Sequence, residues 1–209
     1  MKNLIILMCC VALFSCKNEN TIGKFTVTGE IKNAADQKIF LEEIHFSQDP
    51  PTVLDTSLLE KGKAAIKSLG SEQALYRIRL EKGAGFIFIN DKEEISFTAD
   101  AADDSYKSQT FNTPANASLK NLIAKLDSLQ GVLHAADNGI TALKGVKASD
   151  SAIKASENNF AVINSQYNDF ILNYIDTTES PIVALFALGY TQQVKPDTIT
   201  KTVNALAKR

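Results

Sequence analysis

The hydrophobic period of the chain changes once, at Thr113-Pro114, and that change limits the fold to a β-rich segment followed by helices. Between residues 24 and 111 apolar and polar residues alternate. Phe25, Val27 and Ile31 point one way while Thr26, Thr28, Glu30 and Lys32 point the other, and Tyr76, Ile78 and Leu80 oppose Arg77, Arg79 and Glu81. Successive side chains on a strand leave opposite faces, so a period of two predicts half-buried sheet. Further strands are predicted at 38–44, 52–58, 63–68, 86–89 and 94–98, separated by turn chemistry at 33–36, Asp49-Pro50-Pro51, Gly62, 83–85 and Asn90-Asp91. Seven short antiparallel strands of this kind suggest a small β-sandwich.

Beyond Pro114 the apolar residues recur at three and four. Leu119, Leu122, Ile123, Leu126, Leu129 and Leu133 form one stripe; Ile153, Phe160, Ile163, Tyr167, Phe170 and Tyr174 form another. Each stripe predicts a helix with one core-facing side, which places Phe160 in the core. Gly131, Gly139 and Gly145 predict a loosened stretch between the two, a shorter helix or a loop. Segments 181–192 and 196–208 each open on a proline and read as further helices. The expected class is therefore α+β: an antiparallel β-sandwich-like domain at 24–111, then a helical domain or linker at 112–209. Hydrophobic residues make up 44% of the chain and charged residues 22%, enough apolar content to bury a core. Eleven basic and fifteen acidic residues give the β segment −4, and nine against eight give the helical segment +1. Neither carries the basic excess that binding nucleic acid through its phosphates requires.

The first fifteen residues read as an export signal. Lys2 gives a positive start and residues 4–14 an unbroken apolar run, shorter than the ~20 residues a membrane-spanning helix needs. Leu13-Phe14-Ser15-Cys16 resembles a bacterial lipobox, and Cys16 falls where the apolar run meets the polar segment. The expectation is a lipoprotein signal peptide at 1–15, diacylation of Cys16, and a tether at 16–23. Acyl chains hold a protein to a bilayer at about 0.8 kcal/mol per buried CH₂. This predicts a place in the cell envelope of a Gram-negative bacterium, on the inner or outer membrane, facing the periplasm or the cell surface. Cys9 and Cys10 would leave with the signal and Cys16 would lose its thiol to lipid, so the processed chain would have no thiol for a disulfide, a redox centre or a cysteine zinc site.

The chemistry-bearing residues converge poorly. His45 and His134 lie in different segments with no ligand-spaced partner and read as surface or packing residues. Glu42 with Glu43, and Glu93 with Glu94, straddle strands and point to opposite faces, which rules out a carboxylate dyad. Asp100, Asp103 and Asp104 lack the spacing, glycine and terminal glutamate of a calcium loop and read as a solvated loop. Gly83-Ala84-Gly85 precedes a strand instead of a helix, so it reads as a hairpin turn and not a phosphate cradle. Asp127-Ser128, Asp150-Ser151, Asp176-Thr177 and Asp197-Thr198 resemble a periplasmic O-glycosylation acceptor, but helix N-capping is the preferred reading for most of them. No catalytic, cofactor-binding or metal-binding residue is assigned.

One order of residues is more specific. It runs Phe25-Thr26-Val27-Thr28-Gly29-Glu30-Ile31, Lys38-Ile39-Phe40-Leu41, Asp55-Thr56, Gly62-Lys63, Leu75-Tyr76-Arg77-Ile78 and Phe86-Ile87-Phe88-Ile89. It resembles the N-terminal β-domain, of unknown function, of bacterial lipoproteins whose C-terminal half is a thioredoxin-like thiol-disulfide oxidoreductase. Ala64 and Ile66 stand where that family carries aromatic residues. The helical part through Ser180-Pro181-Ile182-Val183-Ala184-Leu185-Phe186 resembles the linker into the redox domain. The resemblance implies no catalytic residue here, because the active cysteines belong to a domain this chain lacks. The expected function is an anchored, non-catalytic binding or spacer module, not an enzyme and without cofactor. Its expected partners are the membrane, through lipid on Cys16, and a thioredoxin-like domain or another envelope protein. The alternative is a hydrolase or other enzyme acting on an envelope polymer or peptide.

Overall fold

The structure is a computed structural model that describes residues 23–70, 72–103 and 105–208. Eight strands come first: β1 (Lys24–Lys32), β2 (Gln37–Ile44), β3 (Thr52–Leu59), β4 (Lys63–Leu69), β5 (Leu75–Leu80), β6 (Gly85–Ile89), β7 (Glu94–Asp100) and β8 (Thr110–Phe111). Four helices follow: α1 (Pro114–Gly145), α2 (Asp150–Thr177), α3 (Pro181–Leu188) and α4 (Pro196–Leu206). The class is α+β, as the change of period predicts. None of these helices is long and apolar enough to cross a membrane.

The strands form two four-stranded sheets, ordered β4-β1-β7-β8 and β3-β2-β5-β6. Every ladder is antiparallel except β1 with β7, which is parallel, with Val27 opposite Ile95 and Gly29 opposite Phe97. Alternation reports which face a residue takes and is silent on strand direction, so the parallel pair leaves no mark in the sequence. The two-residue β8 is too short to show a period and was not expected.

The predicted faces hold. Phe25, Val27, Ile31, Tyr76, Ile78 and Leu80 all lie between the sheets, at 2% exposure or less. An aromatic run threads this core: Phe25 to Tyr76 (5.1 Å between ring centroids), Tyr76 to Phe88 (5.7 Å), Phe88 to Phe111 (5.0 Å) and Phe111 to Phe97 (5.1 Å). Gly29 makes room for it, since a Cβ there would stand 2.2 Å from the Phe97 carbonyl oxygen and 2.5 Å from its ring.

A second core joins the helices to the sandwich. Leu75 and Ile89, which face outward from β5 and β6, are buried with Leu119, Leu122 and Leu126 of α1, Ile171 and Ile175 of α2 and Val183 of α3. Asn116, buried in the first turn of α1, grips the end of β6. Its Oδ1 accepts from the Ile89 N–H at 2.8 Å and its Nδ2 donates to the Ile89 carbonyl at 2.8 Å. Asp91 completes the joint, its Oδ2 accepting from the Ala115 N–H at 2.9 Å and its Oδ1 from the Thr113 hydroxyl.

Three expectations about the helices are corrected. α1 runs unbroken through Gly131 and Gly139 to Gly145, where a loop or separate short helix was expected. Each glycine costs a helix roughly 1 kcal/mol against alanine, but good helix formers surround them and α2 lies alongside. Phe160 is half-buried and belongs to neither core. At 1.5 Å per residue α1 is about 48 Å long and α2 about 42 Å. The second core touches one end of this hairpin, and beyond Leu133 the helices meet mainly each other, so Val146 and Val162 are exposed. The third correction concerns ends: the helix expected at 181–192 stops at Leu188, and the one expected at 196–208 stops at Leu206.

Candidate functional site

The outward faces of β2 and β5 carry the most ordered charge in the described molecule. On β5, Leu75 is covered by helices, whereas Arg77 and Arg79, farther along the same face, are not. The β2–β5 register sets Glu42 opposite Arg77 and Phe40 opposite Arg79. The β2–β3 ladder shifts between Leu41 and Glu42, and Glu42 ends 4% exposed. Its Oε2 accepts from Arg77 Nε at 2.8 Å and Nη2 at 2.6 Å; its Oε1 accepts from Arg79 Nε at 2.7 Å. Arg79 also lies 4.3 Å over the Phe40 ring centroid and donates from Nη1 to the Leu80 carbonyl at 3.3 Å. Burial pushes the Glu42 carboxyl up, and the hydrogen bonds and charges of Arg79 and Arg77 outweigh that, holding it below the usual carboxylate value. The side chains of Arg77 and Arg79 remain about one-third exposed. Chemically the arrangement is a fixed cation pair with one buried counter-charge, suited to recognition.

A second feature is a cleft of about 980 Å³ at the joint between sandwich and helices, lined by Glu72, Asp91, Ser118, Tyr174, Glu179 and neighbours. Several of its polar groups already serve the fold. Asp91 caps α1, and the Tyr174 hydroxyl donates to the Ser118 carbonyl at 2.8 Å and lies 2.8 Å from the Ser118 hydroxyl.

Cys16, the predicted lipidation residue, lies outside the described residues, as do the signal segment 1–15 and Asp104. His45 sits near the β2–β3 turn, its Nε2 2.9 Å from the Thr52 hydroxyl, and His134 is exposed on α1. Asp100 accepts from Asn33 Nδ2 (2.8 Å) and the Ala102 N–H (2.9 Å); Asp103 accepts from the Ser105 N–H (2.9 Å). These bonds, Asn33's and Ser105's foremost, hold both carboxyls below the usual range. Among the described residues no three His, Cys, Asp or Glu gather as for a metal ion. Residues 83–85 lie at the β5–β6 hairpin turn and its edge, with Gly83 at φ 115°. The capping expectation for the Asp-Ser/Thr pairs is corrected: Asp127 lies within α1 and Asp176 in the last turn of α2, while Ser149 and Lys195 are the N-caps next to Asp150 and Asp197.

The Arg77–Glu42–Arg79 cluster was missed by sequence reasoning. Alternation puts both arginines outward, and Glu42 and Glu43 on opposite faces, but only the register brings Glu42 against the arginines. Residues 25–119 match the family described as a domain of unknown function (DUF4369), which spans the sandwich and the first turns of α1. No curated protein and no solved structure matches the chain.

Proposed function

We propose that the protein is a lipid-anchored lipoprotein of a Gram-negative cell envelope and acts as a non-catalytic binding or spacer module, the N-terminal part of a thioredoxin-like thiol-disulfide oxidoreductase system. The observation that carries this reading is spacing. β1 begins at Lys24, so residues 17–23 alone separate an acylated Cys16 from the sandwich. Fully extended, those residues reach about 25 Å, enough to clear lipid headgroups while keeping the domain near the surface. The family match over 25–119 and the helical segment after it agree with a front domain followed by a linker. The ordered cations on β5 support recognition over passive spacing, because side chains needed only for solubility gain nothing from a buried carboxylate that fixes them.

The test is lipid labelling in a Gram-negative host. The wild-type chain is expected to take up labelled fatty acid and to need detergent for release from membranes; Cys16→Ser is expected to do neither. Label entering the Cys16→Ser protein overturns the anchoring assignment.

A further inference from the structure

The exposed edges of Arg77 and Arg79 have donors to spare. Glu42 uses Nε and Nη2 of Arg77 and Nε of Arg79, while Arg77 Nη1 and Arg79 Nη2 have no partner among the described residues. Both guanidiniums are fixed before any ligand arrives, Arg79 by Phe40 beneath it and Arg77 with its stem against the bare backbone of Gly85, where a Cβ would stand 2.8 Å from Arg77 Cδ. Fixing long side chains in advance removes much of the entropy cost of binding.

Two arginines and one glutamate leave a net charge of +1. At the end of this face Lys38 and Glu81 are neighbours across the β2–β5 pair, the Glu81 N–H donating to the Lys38 carbonyl, and their opposite charges leave that balance unchanged. A charge of +1 matches a monoanion. A phosphate monoester carries about −1.5 to −2 and would leave negative charge facing Glu42. The free fork edges also fit a planar carboxylate. Around them stand Phe40, Gly85 and Ile87, with Val53 of β3 across from Glu42, so the surroundings of the cation pair are mainly apolar and suit the apolar neighbours of a carboxylate side chain. Arginine beside aromatic and aliphatic surface is the composition of a protein-binding hot spot.

We infer that the outward face of β2, β5 and β6 is a docking site for a carboxylate side chain flanked by apolar residues on a partner polypeptide, held by the free edges of Arg77 and Arg79. The inference deepens the recognition-module reading and rests on it, but the two fail separately: a negative lipid-labelling result removes the anchor and leaves the titration below untouched.

The experiment titrates the full chain in detergent with a blocked pentapeptide that carries one glutamate between apolar residues, Leu-Phe-Glu-Phe-Leu, with its glutamine counterpart, and with trigalacturonate. Binding of the glutamate peptide is expected to weaken roughly tenfold or more in Arg77→Gln/Arg79→Gln/Glu42→Gln, which removes the cations and the buried counter-charge together, and with the glutamine peptide. Arg79→Gln, which leaves Glu42 paired with Arg77, is expected to weaken it severalfold and serves as the variant of record if the triple change does not fold. No binding by the wild type, equal binding by the variants, or equal binding of the glutamine peptide overturns the site. Trigalacturonate binding as tightly as the glutamate peptide overturns the polypeptide partner.

Discussion

Glu42 shows how one side chain couples stability to pH. Its carboxyl is held below the ordinary value of 4.5, so the stability it contributes is fully present above that value and is lost as pH falls through the lower folded-state value. Glu42→Gln also sets an amide N–H₂ or a weaker acceptor against arginine donors. We expect the variant to be less stable at pH 7 by about 1–2 kcal/mol, a modest figure because the two arginine side chains are a third exposed and their charges partly screened. The gap between the two proteins should close as pH drops below 4.5. Asp100 and Asp103 are also held low, but they are common to both proteins and cancel in the difference. Melting temperatures measured from pH 7 down to pH 3 check this; curves that stay parallel across the range would contradict it.

Among the elements, the joint between β6 and α1 depends on Asn116 as well as on the apolar residues of the helix stripe. Asn116→Leu keeps the branched shape and the number of heavy atoms but strips the Ile89 N–H and carbonyl of their partners in a buried place. Each unpaired group costs about 1–3 kcal/mol, so a loss of about 2–4 kcal/mol is expected, against less than about 0.5 kcal/mol for Asn121→Leu on the exposed side of the same helix. Equal melting temperatures for the two would refute the joint. Asn116 also marks the limit of what periodicity conveys. The stripe Leu119, Leu122, Leu126 was legible because burial repeats with the helix turn, and the faces of β1 and β5 were legible because burial repeats every second residue. The partner of Asn116, the parallel pairing of β1 with β7 and the meeting of Glu42 with Arg77 depend on contacts between segments distant in sequence, which leave no local period. Phe160 failed for the complementary reason, since a stripe shows which side of a helix is apolar but not how far the core beneath it extends.

At the scale of the whole molecule, the proposal that the chain is the front part of a redox system invites the question of whether it performs redox chemistry itself. Thiol-disulfide exchange needs a thiolate to attack a sulfur and a second thiol to resolve the mixed disulfide. The chain has cysteines only at positions 9, 10 and 16. On the proposed processing the first two depart with the signal and the third carries lipid, so the processed chain is expected to reduce no disulfide, whatever its fold resembles. Its contribution would lie in position: on that proposal the lipid would hold the sandwich at the membrane, and the arginine face of β2 and β5 would present the partner's docking site there. Mixing the processed lipoprotein with a separately expressed thioredoxin-like domain separates these roles, with association read by calorimetry and turnover by thiol release. Association without thiol release by the lipoprotein alone is the expected result. Thiol release by the lipoprotein alone would overturn the non-catalytic reading, and failure to associate with that domain would remove the redox system from the proposal and leave the arginine face as the recognition surface.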